Sequence, residues 1–426
     1  MATGQLTTPP LDNWYPIRPK TIEESGLSQS FIEELLLKIM YTRGKLNGHE
    51  IAQHAHLPFA SVTSNILDFL KRELMCEVKG GRGLSGSYQY TLTSKGASRA
   101  RDLLERNSYA SAAPVLWDDY VTAINAQGTE PLRVNPDSMR NSLANLVLEE
   151  SVFDKIGPAV NSGKSIFLYG PPGNGKTTIA ESIGRMVLTN HIYIPYAIEV
   201  DGQIIKLYDA INHEIVDEPA YKIDSRWVHI KRPVIMVGGE LTLAGLELVY
   251  DPTNKYYEAP YQMKANGGMF LIDDFGRQQV RPHDLLNRWI VPMEKEVDFL
   301  SLHTGRKVEV PFKVLIVFST NLPPRDLVDE AFLRRIRHKI EITSPTFTGY
   351  REIFKRVARA RGIPYDEKAV RYLLKAYYAD GKHPLRANHP RDLIDQLIDI
   401  ANYRGEPPRL TKELLDLAAD SFFVEL

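Results

Sequence analysis

Cysteine is nearly absent from this sequence: Cys76 stands alone among 426 residues. No intrachain disulfide and no cysteine-built zinc site can form from it, which fits a reducing compartment. An excess of one charge is lacking as well. Lys and Arg number 52 against 53 Asp and Glu, a net charge of −1, so bulk electrostatics selects neither nucleic acid nor an anionic membrane. Long apolar runs are missing too. The strongest, such as Val314–Phe318, are strand-length, far from the roughly 20 residues that cross a bilayer. The opening stretch, MATGQLTTPP, has no basic segment followed by an apolar core. No secretory signal is expected there, and the chain is read as cytoplasmic, without membrane insertion. What remains, 43% apolar and 25% charged residues, is the composition of a globular protein, and this length predicts two or three cores.

Residues 1–24 read as an extended, proline-bearing lead-in. Helical spacing follows over 30–42, with Ser30 as N-cap, then over Asn47–His56 and 59–75. The period then shortens to that of strands at Glu77–Lys79 and Ser87–Thr93, around Gly80-Gly81-Arg82-Gly83, and Ala97–Arg106 is helical again. Three helices, a glycine-tipped hairpin and a further helix over 25–108 resemble a winged helix-turn-helix module. Residues 109–140 carry little periodicity and read as a linker. Over 141–345 strand-like and helical runs alternate, which predicts an α/β domain with a mainly parallel sheet. Residues 346–426 read as an all-helical lid, broken at Gly362-Ile363-Pro364 and Gly381–Pro390.

Within the α/β region the apolar run Ser165–Tyr169 enters Gly170-Pro171-Pro172-Gly173-Asn174-Gly175-Lys176-Thr177-Thr178, and a helix follows. This is the Walker A pattern in its strand-to-helix setting. Glycines let backbone amides converge on a phosphate, and the helix N-terminus adds partial positive charge. Lys176 is expected at the β- and γ-phosphates of ATP, and the Thr177 hydroxyl on Mg²⁺. A second apolar run, Gly268–Ile272, ends in Asp273 and Asp274. Asp273 is read as the Mg²⁺ ligand, and Asp274 as the group that orients an attacking water.

Downstream, Ser319-Thr320-Asn321, the arginines Arg334, Arg335 and Arg337, and Asn388-His389-Pro390-Arg391 follow in a fixed order. With the two acidic and glycine-rich motifs, this order resembles the AAA+ ATPase family over about residues 140–400. The resemblance implies a sensor at Asn321, with Thr320 as second choice. It implies an arginine presented to a neighbouring subunit's ATP, Arg335 before Arg334 or Arg337, and a lid arginine at Arg391. One departure is that the second acid, commonly Glu, is here Asp274. The stretch Leu243–Met263 and the stretch Asp298–Pro311 read as hairpins, similar to the inserts of MoxR-type and enhancer-binding members. In those, inserts face a pore, which makes Lys255, Tyr256 and Tyr257 candidate substrate contacts. Glu240 is a candidate polar switch toward Asp274. Residues 191–231 are an extra segment without an assigned role.

The resemblance implies a homo-oligomeric ring, a hexamer, that couples ATP hydrolysis to remodelling a protein substrate, directly or through an adaptor. A DNA-acting motor or regulator is the alternative, with DNA held by residues 25–108. A nucleotide-gated switch with little turnover is the third reading. Over residues 25–107 Lys and Arg number 11 and Asp and Glu 8, a sparse footprint for a DNA reader.

Overall fold

The computed structural model describes residues 14–80, 85–128, 134–216, 223–327, 333–379 and 383–423. The Thr-Thr-Pro-Pro lead-in, most of the Gly80–Gly83 turn, residues 329–332 and the start of the Gly381–Pro390 break therefore lie outside the described residues.

At the centre is a five-stranded sheet. Its strands run in the order Val234–Val237, Met269–Ile272, Leu315–Thr320, Ile166–Tyr169, His338–Glu341. Each neighbouring pair is parallel. The Met269–Ile272 and Leu315–Thr320 strands are buried along their whole length, as continuous apolar runs in a sheet covered on both faces should be. One face packs under Ile179, Ile183 and Ile156 from the flanking helices. The other packs under Phe275, Leu285 and Trp289. The strand bearing the phosphate loop sits between the sensor strand and His338–Glu341, so every motif-bearing end opens on the same edge. This is the α/β, P-loop fold class that the sequence predicts. A helical C-terminal region follows it. Helices Phe347–Ala360, Glu367–Leu373, His389–Arg404 and Lys412–Phe422 share a core of their own around Tyr350, Phe354 and Leu397.

Near the N-terminus, helices Gln29–Arg43, Gly48–Ala55 and Ser64–Arg72 precede a sheet of Leu46–Asn47, Gln89–Leu92 and Cys76–Gly80, and helix Ser94–Arg106 closes the run. The first helix starts earlier than expected. Its N-cap is Ser28, whose hydroxyl accepts the Phe31 N–H at 3.2 Å, not Ser30. Asn47 and Glu50 form a reciprocal capping box on the second helix.

The structure adds to the sequence reading in three places. Residues 109–140 are not an open linker: Val115–Leu116 pairs with Ala197–Val200, and Trp117–Gln127 is a helix that buries Tyr120, Ala123 and Ile124. Its buried face is short, only Tyr120, Ala123, Ile124 and Gln127, and includes a polar residue, which weakens its signal in the sequence. The lead-in is docked where it is described, with Trp14 edge-on to Trp227 at 5.0 Å. The extra segment 191–231 pairs His191–Pro195 with Trp227–Lys231 in a two-stranded sheet and supplies two strands of a second five-stranded sheet. That sheet runs Val249–Asp251, Tyr256–Glu258, Gln203–Lys206, Ala197–Val200, Val115–Leu116. Both expected hairpins exist, 249–258 and 297–311, and both pack into the core of this second sheet.

Candidate active site

The phosphate loop adopts a backbone that only its glycines allow. Gly170, Gly173 and Gly175 have φ of 135°, 77° and 84°, a region disfavoured for residues with a Cβ. At Gly170 a Cβ would also lie 2.3 Å from the Ile342 carbonyl oxygen. The loop ends in helix Lys176–Val187, whose first amides lack intrahelical acceptors and face an incoming anion.

Side chains from three strand ends meet there. Lys176 Nζ donates to the Gly170 and Pro171 carbonyls, each at 2.9 Å, and to Asn321 Oδ1 at 2.7 Å. Asn321 Nδ2 donates in turn to Asp274 Oδ1 at 3.1 Å. The Thr177 hydroxyl donates to Asp273 Oδ2 at 2.9 Å. Burial lowers the Lys176 pKa, while Asp273 and Asp274 act to raise it. Asp274 itself has φ of 49°, a left-handed backbone that Asp tolerates better than most residues and that marks functional turns. Gln278 braces this turn: it accepts from Gly276 N–H at 2.8 Å and donates to the Asp273 carbonyl at 2.9 Å.

These groups line a cleft of about 540 Å³ that also takes in Leu146, Ile353, Val357, Asn388 and Arg391. The phosphate-loop wall is polar and the Leu146–Val357 wall is apolar. Such a cleft suits a ligand with a flat apolar part and a charged tail. Thr177 Oγ1 and the Asp273 carboxylate are hard oxygen donors held together, which fits Mg²⁺ with the rest of its shell from water and phosphate. Among the described residues no group of three or more His, Cys, Asp or Glu could hold a metal ion.

Not every expected residue is in the cleft. Thr320 is buried and spends its hydroxyl on the Phe275 carbonyl, which leaves Asn321 as the polar group at the acids. Glu240 accepts from the Gly238 N–H at 2.9 Å and is tied to its own turn. Arg391 lines the cleft, pairs with Asp392 at 3.1 Å and stays 61% exposed. Arg335 lies elsewhere: it pairs with Glu294 in a cavity of about 640 Å³ that Arg337 also lines, at the Ser165, Gly268 and Leu315 ends of the strands. That is the sheet edge opposite the phosphate loop.

Lys255, Tyr256 and Tyr257 each make contacts within the chain, and Lys255 is the exposed one. Tyr257 is buried with its hydroxyl on His303, Tyr256 meets Tyr109 edge-on at 5.7 Å, and Lys255 bonds the Glu105 carbonyl. Lys255 and Tyr256 reach the N-terminal helical region, while Tyr257 sits in the core of the second sheet.

One residue escaped the sequence reading. Arg386 Nη1 is buried without a hydrogen-bond partner, and the Arg386 charge acts on Lys176 to lower its pKa. Its signal was visible as a second arginine five residues before Arg391, but a lone cation in a loop carries no spacing rule.

Comparison with known proteins adds little. Residues 346–421 match a domain of unknown function, DUF8689, which covers the helical end only. No curated protein matches the chain. Among solved structures, NtrX from Brucella abortus is similar at 15% identity and TM-score 0.39, over 68% of this chain and 55% of that one. The same protein in complex with ADP gives 16% and 0.39, over 75% and 65%. The chain thus spans less than two thirds of either. A RuvB mutant of Thermotoga maritima gives 15% and 0.41, over 69% and 74%. Scores this low carry neither a family nor an activity to this chain.

Proposed function

We propose that the chain is a Mg²⁺-dependent ATPase of the AAA+ type. The observation that carries this reading is the Lys176–Asn321–Asp274 chain of hydrogen bonds beside the Thr177–Asp273 pair, all at the mouth of a glycine-built phosphate loop. Loop amides of residues 173–178 and the Lys176 ammonium bind the phosphates. Thr177 and Asp273 would hold Mg²⁺, which when bound neutralises charge on the β- and γ-oxygens. Asp274 accepts from the attacking water and aims it. Asn321 keeps Asp274 and Lys176 at a fixed separation and has a donor to offer the terminal phosphate. Half-buried Arg386 and exposed Arg391 are the candidate lid arginines, and an Nη1 buried without a hydrogen-bond partner favours Arg386. Steady-state phosphate release tests this: Lys176→Ala is expected to lose measurable nucleotide affinity or turnover. Full activity in that variant would end the proposal.

Arg335 serves a neighbouring copy in a ring, with a hexamer as the expected number. Its place at the opposite sheet edge keeps it out of its own cleft, so any nucleotide it contacts belongs to another protomer. Mixing Arg335→Ala and Asp274→Asn proteins, each inactive alone, is expected to restore part of the activity. No recovery at any ratio refutes a shared site.

The work done is remodelling of a protein, in the manner of MoxR-type proteins, in the cytoplasm. One observation weighs against the DNA-acting alternative. On the exposed face of helix Ser64–Arg72, Lys71 and Arg72 are offset by Asp68 and the adjoining Glu73, so the face that would enter a groove has no net positive charge. Among the described residues no helix is long and apolar enough to cross a membrane. DNA-stimulated phosphate release would favour the alternative, and nucleotide binding without release would favour the switch.

A further inference from the structure

The cleft holds one contact that none of these roles uses. Asn174, between the last two glycines of the phosphate loop, is 4% exposed. Its Oδ1 accepts the Ala387 N–H at 3.1 Å, and its Nδ2 donates to Ser344 Oγ at 3.4 Å. Beside it the Gly173 carbonyl accepts the Asn388 N–H at 2.9 Å. Ala387 and Asn388 immediately precede the lid helix His389–Arg404, and Ser344 lies between the central sheet and the first lid helix. Loop, connection and lid thus meet on one side chain. The approach is close enough that a Cβ on Gly173 would fall 2.1 Å from Asn388 Oδ1.

The Walker A pattern leaves position 174 open, so cradling a phosphate does not call for asparagine there. The lid contact does. It consumes one carbonyl and one side chain of the loop and leaves the amides at the helix start available to an anion. It also holds the residue before Ala387, the half-buried Arg386, whose charge acts on Lys176.

We propose that Asn174 is a positioning residue that latches the helical lid onto the phosphate loop and so sets how long the cleft retains a nucleotide. This rests on the reading of the cleft as a nucleotide site. Losing one such bond is expected to speed release by about 5- to 100-fold, the range that follows when a buried partner is left unpaired.

The test uses the full chain, Mg²⁺ and N-methylanthraniloyl-ADP, with release followed by stopped flow against unlabelled ADP. Asn174→Ala removes the acceptor and Ala387→Pro removes the donor of the same bond. Each is expected to accelerate release within that range, with association changed less than about twofold and the melting temperature near wild type. The double variant is expected to release no faster than the faster single one, because both remove one interaction. Additive acceleration in the double variant, or unchanged release in both singles, overturns the latch. A role confined to folding would lower the melting temperature and leave release unchanged, which also overturns it. If Asn174→Ala fails to fold, Ala387→Pro with Ser344→Ala carries the same comparison from outside the loop. Failure of the wild-type chain to bind the probe would instead sink the nucleotide reading, and the latch with it.

Discussion

Single residues in this protein carry distinct burdens, and two can be separated by experiment. Asn321 touches both Lys176 and Asp274, so under the proposed ATPase function its loss is expected to act on hydrolysis more than on nucleotide capture. Asn321→Ala is expected to lower kcat by about 10- to 1000-fold, the scale of a lost preorganised donor, while Kd for Mg·ATP changes by less than about fivefold. Asn321→Asp should fall further, since it places a second carboxylate against Asp274 and leaves a like-charge pair at hydrogen-bond distance. Equal losses in kcat and affinity would refute the division. Lys38 is a stability problem rather than a functional one. Burial lowers its pKa from 10.5 to about 8, and its ammonium donates to the Asn107 carbonyl at 3.2 Å. A lysine with a depressed pKa binds fewer protons folded than unfolded between these values. Stability therefore rises with pH from about 8 to 10.5. Lys38→Met is expected to flatten that rise and to add about 1–3 kcal/mol at pH 7 in urea unfolding.

Elements were legible in the sequence where a spacing rule applied to them. The phosphate loop, the acid-tipped strand and the sensor strand each combine an apolar run with a fixed chemical ending, and all three end at one sheet edge as the alternating pattern requires. Both hairpins, 249–258 and 297–311, were legible from turn residues between strand-like runs. The partners of those hairpins were not. The second sheet draws strands from 115–116, 197–206 and 249–258, and no local period announces the pairing of Val115 with Ile198 or of Ile205 with Tyr257. The same non-locality hid the helix Trp117–Gln127, whose Tyr120 hydroxyl accepts from Asn266 at 3.0 Å, 146 residues away. The contacts of Tyr256 and Tyr257 were hidden for the same reason: a tyrosine-rich turn looks exposed until the surface that packs on it is known. Because this helix buries Ile124 almost fully against the second sheet, Ile124→Ala is expected to destabilise by about 2–5 kcal/mol. In an unattached linker the same change would cost nearly nothing, so chemical denaturation decides between the two descriptions.

At the scale of the whole molecule, the junction between the N-terminal helices and the second sheet governs how motion could pass from the cleft. Arg226 is its centre. It is 4% exposed at the side chain and paired with Asp224, itself 3% exposed. Arg226 also donates to the Ser25 carbonyl at 2.7 Å and the Pro114 carbonyl at 3.2 Å. Around it, His56 and Ser225 exchange two hydrogen bonds at 2.6 and 2.8 Å. Ser108 bonds Asn254, and Ala197 and Ile204 enter the N-terminal core. A flexibly tethered recognition module would not bury an ion pair in its attachment. The N-terminal helices should therefore move as one body with the second sheet, and the sheet in turn with hairpin 297–311, which leads through Phe312–Val314 into the strand that carries Asn321. Arg226→Ala leaves Asp224 buried and uncompensated, which is expected to cost about 3–5 kcal/mol. Replacing both partners, Asp224→Leu with Arg226→Met, is expected to recover most of that loss, because burying two charges is itself unfavourable. Hydrogen exchange separates local from global effects: in Arg226→Ala, protection should fall first at 25–28, 56 and 107–116, while the phosphate-loop strand keeps its protection. Loss of protection at Ile166–Tyr169 in step with the junction would mean that the whole chain unfolds as a single unit and that no separable joint exists.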